Sequence, residues 1–178
     1  DAVRPAFEDL KARGLIKAWG ITGTGHPDAI EAVLRSEDKP DVVQIVTNLL
    51  DSPGSLKRYL EPARPRSLIQ IAAERDIGVM GIRAVQAGAL TTAFDRRIGP
   101  HHPEMQDFER AAPFRALCKQ WGNDPAVIAH QYALAMTGVD TVVLGVKNRQ
   151  ELLACLGGAE PLEPEQMNEI DALGLQRL

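Results

Sequence analysis

The chain has 178 residues, 44% of them hydrophobic and 25% charged, and a formal net charge of -4. That is enough for one domain with a substantial core, while the acidic balance and scattered Lys and Arg leave no basic face for a nucleic acid. No apolar run approaches the roughly 18 residues that span a bilayer and no charged-then-apolar leader opens the chain. The two cysteines, Cys118 and Cys155, have no metal-ligand spacing, so the expected setting is a reducing cytoplasm.

In chain order, residues 1–13 read as a helix already under way at Asp1. Phe7, Leu10 and the later Leu15 mark its inner face, and Gly14 is a stop. A strand over 16–22 runs into Gly23-Thr24-Gly25-His26-Pro27-Asp28, and Pro27 suits the first turn of a helix over 29–35 with Ile30, Val33 and Leu34 turned inward. A second strand occupies 42–46, a proline-punctuated connection 48–65, a short helix 67–75 and a third strand 77–82. The least regular stretch, 86–113, is a candidate substrate-side loop. Helices follow over 114–121 and 124–136, the second capped by Asn123. A fourth strand is expected over 141–146, a helix over 149–156, a break at Gly157-Gly158 and a last helix over 164–173. No internal boundary interrupts residues 1–178, which read as one domain.

Strand, turn and amphipathic helix thus recur four times, the rhythm of parallel βα units. Nearly continuous Val, Ile and Leu runs indicate strands buried on both faces, which suits an open doubly wound sheet or half of an eight-stranded barrel. Against the first stands Gly23-x-Gly25-x-x-Asp28, which has an aspartate in place of the third glycine of a dinucleotide fingerprint, with no acid ending the next strand.

Polar residues interrupt the strands at informative places. Gln44, inside Val42-Val-Gln-Ile-Val46, needs hydrogen-bond partners, either from neighbouring backbone or from a flat ligand. Thr22 is equally open, and Arg83 at the end of the third strand is either solvated or set to neutralise a phosphate. Gly145-Val-Lys-Asn-Arg149 enters a helix whose first N–H groups are unpaired, so an anion there would meet a dipole and cationic side chains together. Phosphate sites recur after the last strands of barrels. His26 faces the mouth after the first strand, and His130 lies outward or at a helix interface. Adjacent His101 and His102 lack a third ligand nearby in sequence, so no metal site is expected.

Four segments together resemble the aldo-keto reductase family. Leu10-Lys-Ala-Arg-Gly-Leu-Ile-Lys-Ala-Trp-Gly-Ile-Thr22 is similar to the passage into the family's fifth strand, and Asp41-Val-Val-Gln44 to the sixth. Ile77 through Leu90 is similar to the seventh and Val139 through Asn148 to the eighth, with Leu162-x-Pro-Glu-x-x-x-x-Ile170 as the ending. The resemblance implies a (β/α)8 TIM barrel of α/β class, represented by its last four βα units as a half-barrel plus a C-terminal helix. It also implies NAD(P)H-dependent reduction of aldehydes or ketones by hydride transfer.

Position by position, the resemblance puts Thr22 and Gln44 on the nicotinamide carboxamide and Arg83 through Gly88 around the pyrophosphate. It puts Gly145 among the cofactor-binding residues and Lys147 and Asn148 at the adenosine 2′-phosphate, favouring NADPH over NADH. Gly23, Ile82 and Ala154-Cys155 depart from the family's common asparagine, stacking tyrosine and Glu-Asn pair. The family's catalytic tyrosine, aspartate, lysine and histidine lie on the first four strands, so no catalytic residue is assigned. Tyr59 and Tyr132 read as packing residues, and the chain is expected to be inactive alone. The implied partners are a small-molecule carbonyl substrate and either an N-terminal half-barrel or a second copy meeting the open sheet edges. A non-catalytic nucleotide-binding or regulatory barrel module is the alternative.

Overall fold

A computed structural model describes residues 3–176; positions 1 and 2 of the first expected helix and the ends of the expected 1–178 domain lie outside them. The order is α1 (Val3–Ala12), β1 (Gly20–Thr22), α2 (Pro27–Arg35), β2 (Val42–Val46), a 3-10 turn at Gly54–Leu56, α3 (Pro65–Glu74) and β3 (Gly78–Ile82). A second 3-10 turn at Gln86–Gly88 follows, then α4 (Pro103–Arg110), α5 (Ala112–Trp121), α6 (Pro125–Ala135), β4 (Thr141–Val142), α7 (Arg149–Gly157) and α8 (Pro164–Asp171). The four strands form one parallel sheet in the sequential order β1-β2-β3-β4. Right-handed crossovers in sequential order place every helix on the same side of such a sheet.

Side-chain burial follows that one-sidedness. Val43, Ile45 and Val79 point toward the helices and are essentially sealed, packed with Leu34, Leu68 and Phe114 in one core. Their neighbours Val42, Gln44, Met80 and Ile82 alternate to the opposite face and stay partly exposed. Helix starts are written locally: proline opens α2, α3, α6 and α8. The cap of α6 is Asp124, whose Oδ1 accepts from Ala126 N at 2.8 Å, rather than the expected Asn123.

The outer strands are shorter than their apolar runs predict. β1 spans three residues, and Leu15, expected to face inward, is 60% exposed. β4 pairs over only two residues, leaving Val143, Leu144 and Val146 substantially exposed. Both are edge strands with a neighbour on one side only, and single backbone bonds such as Gly23 N to Gln44 O and Val143 N to Gly81 O continue their pairing just past the strand ends. Val33 is likewise exposed on α2. In the segment read as irregular, the structure forms α4, with Glu104 and Asp107 on its buried face.

Candidate functional site

Because the strands are parallel, their carboxyl ends share one rim, where the loops after β3 and β4 meet. Register places Thr22, Gln44, Met80 and Thr141 in one row across the sheet. Thr22 Oγ1 donates to Gln44 Oε1 at 3.1 Å. That engages the oxygen of the amide and leaves Nε2 without a hydrogen bond among the described residues. Both side chains line a cavity of about 340 Å³ on the helix-free face, floored by Val42 and Met80.

A second cavity, of about 520 Å³, lies between the loop after β3 and the start of α7, and brings Gly88, Gly145 and Lys147 together. The Lys147 ammonium pairs with Asp95, 52 residues away; this hydrogen bond raises the lysine pKa and lowers that of the aspartate. Asn148 caps α7: its Oδ1 accepts from Glu151 N at 2.9 Å and its Nδ2 donates to Glu151 Oε1 at 3.1 Å. Glu151 Oε2 accepts from Lys147 N at 2.8 Å, so side chain and backbone close the helix start reciprocally. The Asn148 amide, expected on a phosphate, is spent on this cap.

His130 and Cys155 line the same cavity. His130, 6% exposed, donates from Nδ1 to Ala126 O at 2.8 Å, with Cys155 Sγ 3.7 Å from that nitrogen. Burial lowers the imidazole pKa and raises that of the thiol, keeping both neutral near pH 7.

Arg83, expected at the pyrophosphate, is engaged by two side chains of the segment that follows β3. Its Nη2 lies 2.7 Å from Glu104 Oε1 and its Nε donates to Gln86 Oε1 at 2.8 Å. Gln86 Nε2 reaches Asp107 Oδ2 at 2.6 Å, Ser52 Oγ donates to the same oxygen, and Ser55 donates to Glu104 through both N and Oγ. Burial pushes the Glu104 pKa up, but the Ser55 and Arg83 hydrogen bonds outweigh it and hold the carboxyl at about 2. The network pins a turn in which Arg83, Gln86 and Ala87 all have left-handed φ, 60°, 46° and 51°. Strain of that kind persists only where surrounding contacts over-determine it.

Sequence reasoning missed Glu104, Asp107 and Asp95. The i, i+3 spacing of the first two was the available signal, whereas nothing local marks Asp95 as the partner of Lys147. His26 ties two loops, its Nδ1 accepting from Asp28 N and its Nε2 lying 3.2 Å from Glu61. His102 Nδ1 lies 2.7 Å from Glu104 Oε2, and no group of three potential metal ligands occurs among the described residues. Tyr132 is sealed in the core, where Arg66 donates to its hydroxyl and that hydroxyl donates to Asp171. Tyr59 packs beside the His26 ring at 5.5 Å. No helix among the described residues is long and apolar enough to cross a membrane.

Comparison with known proteins adds family and fold. The aldo/keto reductase family model matches residues 1–174. No curated protein matches. The apo form of the aldo-keto reductase AKR11C1 from Bacillus halodurans superposes with a TM-score of 0.70 at 21% identity, covering 97% of this chain and 57% of that one. Its holo form gives 0.68 and 22%, covering 95% and 54%. The four units are therefore part of a (β/α)8 barrel, and the chain spans 57% of the length of the apo AKR11C1 chain it resembles.

Proposed function

Because this chain belongs to the aldo/keto reductase family, we propose that it carries the nicotinamide-dinucleotide site of an oxidoreductase that reduces aldehydes or ketones. The observation behind this reading is the Thr22–Gln44 pair on the helix-free face, sharing a rim with the cavity at Gly88, Gly145 and Lys147. With its oxygen held by Thr22, Gln44 presents an N–H donor, the complement of a carboxamide oxygen. Met80 beside it supplies an apolar floor that keeps water from a ring lying there.

When bound, the cofactor supplies the hydride that the carbonyl carbon receives. The chain's own residues hold and orient it. Gly88, at φ 95°, makes a turn that L side chains rarely adopt, which brings bare backbone toward the pyrophosphate. Arg83 and Glu104 act behind that turn, fixing its shape without touching the phosphates. Lys147 and Gly145 border the adenosine end.

Reduction also needs a proton delivered to the carbonyl oxygen. Tyr132 does not deliver it, since its hydroxyl is buried between Arg66 and Asp171 on the helix side. We assign the proton donor to a remaining part of the complete protein, which would also extend the sheet at β1 and β4. The exposure of Leu152, Leu153 and Leu156 on α7 supports a covered edge there.

Fluorescence titration of NADH and NADPH tests the reading. Gln44→Leu should weaken the binding of both by about tenfold, the loss of one or two hydrogen bonds in a shielded site. Unchanged affinity for both removes Gln44 from the site.

A further inference from the structure

We infer that the cavity beside α7 is built for a dinucleotide whose adenosine ribose keeps its free 2′-hydroxyl, NADH, with Asp95 and Glu151 as the hydroxyl acceptors. The inference rests on the nicotinamide-dinucleotide reading above and reverses the preference for NADPH drawn from Lys147 and Asn148.

The first reason is charge. The charged side chains lining the cavity are Lys147 and Arg96 against Asp95, Asp124 and Glu151. Neither cation is uncommitted: Lys147 is paired with Asp95, and Arg96 donates to Ala87 O at 2.7 Å with its guanidinium 5.0 Å from the centre of the Phe94 ring. A phosphomonoester carrying about -1.5 to -2 charges at pH 7 would enter among more carboxylates than cations.

The helix start gives the second reason. The opening N–H groups of a helix attract an anion, but the approach to α7 already carries a carboxylate just ahead of those groups. The Glu151 carboxylate folds back onto Lys147 N and Asn148 Nδ2, and Asn148 Oδ1 takes Glu151 N. A phosphate approaching Lys147 would meet that carboxylate, held there by two hydrogen bonds. A ribose hydroxyl, by contrast, donates to such a carboxylate, which is how an acidic side chain selects the unphosphorylated dinucleotide.

His130 is an independent third observation. It is 94% buried, its Nδ1–H is committed to Ala126 O, and its Nε2 has no hydrogen-bond partner among the described residues although the ring lines the cavity. With Nδ1 protonated, Nε2 is an acceptor, suited to the exocyclic amine of the base. Asp95, Glu151 and His130 together make a wall of acceptors, matched to hydroxyl and amine donors and mismatched to phosphate oxygens.

The test is calorimetric titration of the complete protein with NADH and with NADPH, repeated for Asp95→Asn, Glu151→Gln and the double variant. Glutamine can also serve at this position of a capping box, so Glu151→Gln removes charge while preserving the helix start. The wild type should bind NADH about tenfold or more tighter than NADPH, since unlike partners are rejected by like-charge juxtaposition. Each single variant should move the ratio toward NADPH, and the double variant should abolish the preference, with the melting temperature unchanged. Equal or tighter binding of NADPH by the wild type, or variants that shift both cofactors alike, overturns the inference and leaves the dinucleotide site standing. If neither cofactor binds, both readings are overturned.

Discussion

Strands β2 and β3 share five register pairs and bury their helix-facing side chains, whereas β4 pairs over two residues and α7 leaves Leu152, Leu153 and Leu156 exposed. The loops differ in the same way. Beyond β2 and β3 lies a sealed network of Asn48, Ser52, Gln86, Glu104 and Asp107 around Arg83, while beyond β4 the Lys147–Asp95 pair and the α7 cap lie at the surface. One region holds backbone in a fixed, strained shape. The other is built of exposed side chains, whose ion pairs contribute little to the stability of the fold.

The contrast can be broken most forcefully at Glu104. Glu104→Ala leaves the Arg83 guanidinium, with only 16% of its side chain exposed, without its carboxylate; loss of one partner of a buried pair should cost about 3–5 kcal/mol, read as a fall in the urea midpoint. The pH dependence carries the same signature. Because the folded-state carboxyl is held at about 2, below its ordinary value of 4.5, its stabilisation is complete above that ordinary value and is lost as pH falls toward 2. Wild type and Glu104→Ala should therefore converge in stability on acidification, and parallel curves would show that the carboxylate contributes nothing.

Tyr132→Phe should have a smaller effect. It removes the hydroxyl that joins α6 to Arg66 on α3 and Asp171 on α8, at about 1–2 kcal/mol by thermal denaturation. On α7, Leu153→Ser should change the stability of the 178-residue chain by no more than about 0.5 kcal/mol, as an exposed position does. A larger loss would mean that this face is already covered, for instance by a second copy. Hydrogen exchange gives the finest comparison: the amides of Thr141 and Val142 should exchange faster than those of Val43 and Ile45, and equal protection would erase the distinction between edge and centre.

Much of the architecture was legible because it is local. The four apolar runs, the proline at the start of α2 and the polar entry to α7 act over a few residues, and β2 falls on its expected bounds. Strand length at the edges was not legible, since the runs at 16–22 and 141–146 specify apolar side chains but not whether a neighbouring strand exists to pair with them. The site divides in the same way. Thr22 and Gln44 stood out as polar residues in apolar strands, and their adjacency follows once β1 and β2 pair in parallel.

What the sequence determined by itself, then, was the βα rhythm, the helix starts and the polar positions on the strands, all consequences of backbone geometry and side-chain periodicity within one element. Only the tertiary structure decided that Arg83 pairs with Glu104, that Lys147 meets Asp95 and that His130 shares a cavity with Cys155. Those pairings join residues 21, 52 and 25 positions apart. Their charges and donors are visible in the chain, but a charge carries no record of which opposite charge the fold will bring beside it.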